Sequence, residues 1–244
     1  MSYVEGFVAA VPAANKAAYI QHAANAAPLF KEFGATRVVE TWGDEVPDGK
    51  VTDFKGAVKA TVDEVVVFSW IEYPSKGARD AAHERIMNDP RMKEMGASMP
   101  FDGRRMIVGG FSPIVEETAQ GKTAQGKMGY ADCYVVPVPA ANKDAYRQVA
   151  AKSAAVLKEY GAVRIVEAWG DDVPDGKVTD YRGAVKATGD EKVVYSWIEW
   201  PSKEHHDAVW PKIMADDRMK PDRATMPFDG QRMIYGGFSP IIDA

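Results

Sequence analysis

Three observations predict an α+β fold in which two ferredoxin-like units pack as one intramolecular pseudo-dimeric α/β barrel. The chain repeats itself: Trp42 and Trp169 lie 127 residues apart, and residues 1–117 match 128–244 without a gap, with 73 identities among 117 pairs. Each copy alternates strand-like and helix-like stretches in the order β-α-β-β-α-β. Two helices can cover only one face of the resulting four-stranded sheet, so each copy has a bare face for the other to bury.

The elements follow in order along one copy. "YVEGFVAAVP" (Tyr3 to Pro12) reads as a strand. Asn15 offers an N-cap for a helix with apolar residues at Tyr19, Ala23, Ala27 and Phe30, and Gly34 ends it, as Gly161 does in the second copy. "TRVVETW" (Thr36 to Trp42) is a second strand, and the β-branched, aromatic "EVVVFSWIEYP" (Glu64 to Pro74) a third. Ser75 caps a second helix to about Met87, and "RRMIVGGFSPI" (Arg104 to Ile114) supplies the last strand. Domain limits are expected at 1–117 and 128–244, joined by a polar linker, 118–127, within "EETAQGKTAQGK". The copies differ most around the second helix, where Pro211 should kink or end the helix of the second copy.

The composition is that of an ordinary soluble globular protein, 46% hydrophobic and 27% charged. A net charge of −5 argues against nucleic acid as a partner, since phosphate binding needs a basic surface. No apolar run is long enough for a membrane span, and the N-terminus lacks the pattern of a secretory signal, so a cytoplasmic protein is expected. The lone Cys133 stands where the first copy has Gly6 and is read as a buried packing residue.

The most conspicuous repeated stretch is "WGDEVPDGKVTDF", with "WGDDVPDGKVTDY" as its twin. Its glycine spacing is wrong for a phosphate loop and its acidic residues would repel phosphate. Asp44, Asp48 and Asp53 do not fit the spacing of a calcium loop. Pro47-Asp48-Gly49 is the chemistry of a turn, and a structural loop is the main reading, with a lid over a pocket as the other. In "MPFDGRRMI", Asp102-Gly103 signals a turn, and Met99, Phe101 and Met106 are read as core or as a pocket wall.

The stretches "WGDEVPDGKVTDF", "SWIEYPSK", "DPRM" and "MPFDGRRMIVGGF" resemble the YbaA-like family, a domain of unknown function within the dimeric α/β-barrel superfamily. The likeness covers both copies. It implies a ferredoxin-like fold and a pairing that single-copy members achieve as homodimers. It brings no established catalytic residues. The wider superfamily includes cofactor-independent monooxygenases, muconolactone-isomerase-like enzymes and dye-decolourising peroxidases, a fold-level analogy.

Alternation along the strands groups Glu40 and Trp42, then Trp70 and Glu72, then Glu5, with Arg105 on the last strand, as one set facing the other copy. The second copy repeats the types as Glu167, Trp169, Trp197, Glu199, Asp132 and Arg232. Two readings stay open. In one, Glu40, Glu72, Glu167 or Glu199 is an acid or base acting on a small, partly apolar metabolite without a cofactor. Arg105 and Arg232 then clamp an anionic or carbonyl group, and Trp42, Trp70, Trp169 and Trp197 form the walls. In the other, the chain is a non-catalytic ligand-binding or assembly module whose interior ion pairs fix the pairing of the copies. Further oligomerisation is open. No metal site is expected, and the four histidines are placed on helix surfaces.

Overall fold

The computed structural model describes residues 2–119, 128–220 and 226–244. β1 (Tyr3–Pro12) leads into α1 (Lys16–Glu32), which ends at Gly34, whose φ of 115° suits a residue without a Cβ. Next come β2 (Arg37–Glu45), α2 (Phe54–Ala57), β3 (Glu64–Tyr73), α3 (Lys76–Asn88), α4 (Pro90–Ala97) and β4 (Ile107–Thr118). The second half repeats the plan with β5 (Tyr130–Val138), α5 (Lys143–Glu159), β6 (Arg164–Asp172), α6 (Tyr181–Ala184), β7 (Lys192–Trp200), α7 (Lys203–Ala215) and β8 (Ile234–Asp243).

The eight strands close into an antiparallel barrel in the order β1-β3-β2-β8-β5-β7-β6-β4. Two seams, β2 with β8 and β4 with β6, join the halves by backbone hydrogen bonds. Closure removes the free strand edges that each half alone would present. Most of the expected linker lies outside the described residues, which resume at Met128 after Ala119.

The barrel is filled. The Trp70 and Trp197 rings stack with centroids 4.6 Å apart, and Phe68 stacks on Tyr195 at 4.2 Å. Phe111, Phe238, Cys133 and the aliphatic residues of all eight strands complete this core. Burial holds the Cys133 thiol well above its ordinary pKa, so it is a packing residue and not a thiolate. The Gly6-for-Cys133 exchange has a packing reason. A Cβ at Gly6 would lie 2.8 Å from the Tyr195 ring, which projects there so that its hydroxyl can donate to the Ser69 carbonyl at 2.7 Å.

Several local expectations are corrected. Asn15 and Asn142 precede their helices but make no side-chain cap; they donate instead to the Pro100 and Pro227 carbonyls at 2.8 Å. Arg104 and Arg105 form a short 3-10 turn, and the last strand of the first half begins at Ile107. α7 continues through Pro211 to Ala215. Pro211 is exposed, so water can meet the carbonyl its ring leaves unpaired. Not all the histidines are on the surface: His206 is buried and His22 is half-buried.

Candidate functional site

The residues grouped from sequence divide among three places. Glu72, Glu199, Trp70 and Trp197 point into the barrel, at one mouth. There the Arg37 guanidinium grips Glu199 with two hydrogen bonds of 2.7 and 3.0 Å and Asp243 with two of 2.8 and 2.9 Å. Arg164, its counterpart, holds Glu72 at 2.6 and 2.9 Å and Glu116 at 2.8 Å. Trp70 and Trp197 donate their indole N–H groups to Glu72 and Glu199. Every carboxylate of this layer is answered, and each arginine reaches across to the other half. Ion pairs therefore link the halves at this mouth, with Arg37 and Arg164, and not Arg105 and Arg232, as the basic partners. Sequence reasoning missed these two, although each opens a strand two residues before the inward Val39 or Val166.

Arg105 and Arg232 are elsewhere. Arg105 pairs with Glu64 at 2.6 Å and Asp102 at 3.2 Å, and Arg232 with Glu191 at 2.7 Å and Asp229 at 2.8 Å. They fasten the turns before β4 and β8 to the starts of β3 and β7 and clamp no anion beside Glu72 or Glu199.

The repeated acidic stretch serves the opposite mouth. Asp53 accepts from the Gly56 and Gly49 N–H groups, capping α2, and Asp180 does the same for α6. The capped turns drive Phe54 and Tyr181 into the barrel, where Phe54 meets Phe68 and Phe238 edge-on. A Cβ at Gly49 would fall 2.0 Å from the Thr52 carbonyl oxygen, which is why the loop needs glycine there. The stretch is a plug for the barrel.

Glu40, Glu167, Trp42 and Trp169 face outward, beneath the helices. Trp42 packs on Tyr19, its ring capped by Lys16 at 5.0 Å. Glu40 forms the floor of a cleft of about 220 Å³ between the sheet, α1 and α4. Tyr19, His22, Ala23 and Phe30 of α1 make one wall, and Met92, Met95, Met99 and Phe101 the other. Asp89 caps α4 over Pro90, and Arg91 ties it back to Glu32 at the end of α1 with two bonds of 3.1 Å.

The Tyr19 hydroxyl donates to Glu40 Oε2 at 2.6 Å and Ser69 donates to the same oxygen. Among the described residues neither Glu40 nor Glu167 has an ion-pair partner. Burial raises the Glu40 pKa, against the opposing pull of the Ser69 and Tyr19 hydrogen bonds. Burial likewise pushes Glu167 up to about 7 despite hydrogen bonds from Tyr146 and Ser196. The same burial lowers the pKa of His22. The second half keeps Glu167, Tyr146 and Ser196 but has Val149 in place of His22 and Tyr134 in place of Phe7, and its sequence has Asp222 at the position of Met95.

A closed barrel of two ferredoxin-like halves, with a cleft under the helices, defines the pseudo-dimeric α/β barrel, a fold shared by ligand-binding proteins and enzymes. Residues 2–103 and 129–230 match the family described as "Protein of unknown function (DUF1428)", and the chain belongs to that family. The chain is 68% identical over 117 residues to the uncharacterized protein YbaA of Escherichia coli K12, covering 48% of this chain and all of YbaA; the same holds for YbaA of Shigella flexneri.

Among solved structures, a provisionally assigned monooxygenase from Fusobacterium nucleatum aligns with a TM-score of 0.60 at 8% identity, over 99% of this chain and 93% of that one. An anthrone oxidase-like protein aligns with a TM-score of 0.57 at 12% identity, over 100% and 92%. These likenesses show the fold. Among the described residues no helix is long and apolar enough to cross a membrane.

Proposed function

We propose that the cleft over Glu40 binds a small, largely apolar molecule carrying one hydrogen-bonding group, and that Glu40 exchanges a proton with it. The observation that carries this reading is the hydrogen bonding of Glu40. Both hydroxyls donate to Oε2, which leaves Oε1 without a hydrogen-bond donor or ion-pair partner among the described residues, on a glutamate that lines a methionine- and aromatic-rich space. A carboxyl so placed keeps its proton to a higher pH than usual, as a working general acid or base requires. The volume is below the ~300 Å³ at which drug-sized pockets begin, so the ligand is limited to one or two rings. The names of the solved neighbours suit a small aromatic or carbonyl ligand and do not bear on the choice of reaction.

The alternative, a module whose interior polar residues only fix the pairing of the halves, is favoured for the barrel mouth by the complete pairing of Glu72 and Glu199. It leaves unexplained Glu40, which has no ion-pair partner among the described residues. The test uses 2-indanone, a ketone with acidic C–H bonds. The protein should bind it, by chemical-shift change of the cleft methionine methyls, and should speed its hydrogen–deuterium exchange. Glu40→Gln should abolish exchange while leaving the protein folded. Binding without exchange supports the non-catalytic reading, and no binding at all removes both versions of the cleft.

A further inference from the structure

The second half contains another pocket, of about 390 Å³, on the outer face of the barrel where β5, β8 and α7 meet the end of β2. It has no part in the Glu40 cleft, and its origin is legible by comparing the halves. In the first half, Arg79 of α3 extends to Asp172 at the end of β6, while the Tyr3 hydroxyl donates to Asp171. Those contacts close the place. In the second half the matching residue is His206, which lies against Asp132 and Asp207, and among the described residues it makes no ion pair with Glu45, the counterpart of Asp172. Lys203 holds Glu45 at 2.5 Å, as Lys76 holds Asp172 at 3.5 Å in the first half, but the arginine contact has no counterpart.

Two donors are left over. His206 is 6% exposed and Tyr130 is fully buried. Among the described residues neither His206 Nε2 nor the Tyr130 hydroxyl has a hydrogen-bond partner, and both residues line the pocket. His206 Nδ1 donates to Asp207 at 2.9 Å, so Nε2 carries a proton and can donate only in the imidazolium form; burial opposes that form, but the Asp132 and Asp207 carboxylates raise the His206 pKa overall. Nε2 stands at ion-pair distance, 3.3 Å, from Asp132 Oδ2 but makes no hydrogen bond to it, and that oxygen already accepts from the Trp200 indole at 2.8 Å. Leaving such groups unmet is costly, so a site with two of them side by side invites an acceptor.

The walls narrow the class of ligand. Trp210 and Tyr235 replace His83 and Val108 of the first half, and both line the pocket; Tyr235 is half exposed at its rim. Carboxylates surround it: Asp132 and Glu45 in the lining and Asp207 on His206, against His206 and Lys203. That balance disfavours an anion. We infer that this pocket binds a neutral aromatic molecule through a hydrogen-bond-accepting oxygen. The Tyr130 hydroxyl and His206 Nε2 donate to that oxygen, and Trp210 and Tyr235 flank the ring.

Acetophenone is the probe, with ethylbenzene lacking the acceptor and benzoate adding a charge. NMR titration of the full-length chain should show acetophenone bound about tenfold more tightly than either, the discrimination expected of one or two hydrogen bonds to buried donors. Intermolecular NOEs should connect it to the Trp210 and Tyr235 rings. Tyr130→Phe, which keeps the packing, should bring acetophenone down to the level of ethylbenzene. His206→Arg should restore the first half's closure onto Glu45 and eliminate binding while preserving the fold. Equal binding of acetophenone and ethylbenzene would overturn the inference, as would tighter binding of benzoate, unchanged affinity in Tyr130→Phe, or no saturable binding. NOEs confined to the methionine methyls over Glu40 would overturn it while supporting the other cleft.

Discussion

The barrel mouth and the cleft beneath the helices hold glutamates in opposite surroundings. Glu72 and Glu199 are buried, yet each is bound twice by an arginine from the other half. Glu40 and Glu167 meet only neutral hydroxyls, and burial raises their pKa. Both pairs recur between the copies, so recurrence alone does not separate a structural carboxylate from a reactive one. The difference lies in what stands opposite. A guanidinium opposite ties the carboxylate into a fixed geometry, whereas neutral hydroxyls bring no opposing charge and leave burial to raise the carboxyl's pKa.

The sharpest way to break this comparison is to remove an arginine. Arg164→Ala leaves Glu72 only the Trp70 indole and Arg37 at 3.6 Å, and should cost about 3–5 kcal/mol in urea denaturation, as breaking a buried pair does. A loss under about 1 kcal/mol would mean the mouth is wet and the pairs are weak. The double variant Glu72→Gln with Glu199→Gln should lose roughly 2–3 kcal/mol, less than the arginine removal because Arg37 keeps Asp243 and Arg164 keeps Glu116.

Glu167→Gln should act in the other direction. Its pKa rises from 4.5 unfolded to about 7 folded, so the folded state holds the proton more tightly. The associated stability is fully present below pH 4.5 and is lost as pH rises through about 7. The variant should therefore flatten that decline, and gain on the order of 1–3 kcal/mol relative to the parent at pH 8, read from melts across the range. A parallel pH profile in parent and variant would show that folding does not tighten the hold of Glu167 on its proton. The smallest effect should come from Tyr19→Phe. It removes one hydroxyl from Glu40 Oε2, costs about 1 kcal/mol of stability and raises the Glu40 pKa further, which carboxyl-labelled NMR titration would follow.

Much of the fold was legible because the duplication supplied two readings of every element and because strand and helix periods differ. The site was less so, for a definite reason. Alternation tells which residues of one strand share a face, but pairing register decides which face of the next strand joins them. Arg37 lies opposite Glu72 and Glu40 opposite Ser69, so the odd residues of β2 share a face with the even ones of β3. Grouping Glu40 and Trp42 with Trp70 and Glu72 assumed the other parity. The same error put Glu5 inside, although Val4 is the residue opposite Glu72, and Glu5 lies outside near Arg79 and His83. α4, which walls the cleft, was missed because eight residues around "DPRM" have too short a period to stand out.

The exchange at Gly6 and Cys133 reaches beyond packing. A homotypic barrel of two second halves would set each Tyr195 ring against a thiol side chain where only hydrogen has room, and one of two first halves would lack the tyrosine hydroxyls altogether. Fusion in a single polypeptide therefore does more than raise local concentration: it assures the second half a glycine-bearing mate that leaves room for its Tyr195 ring.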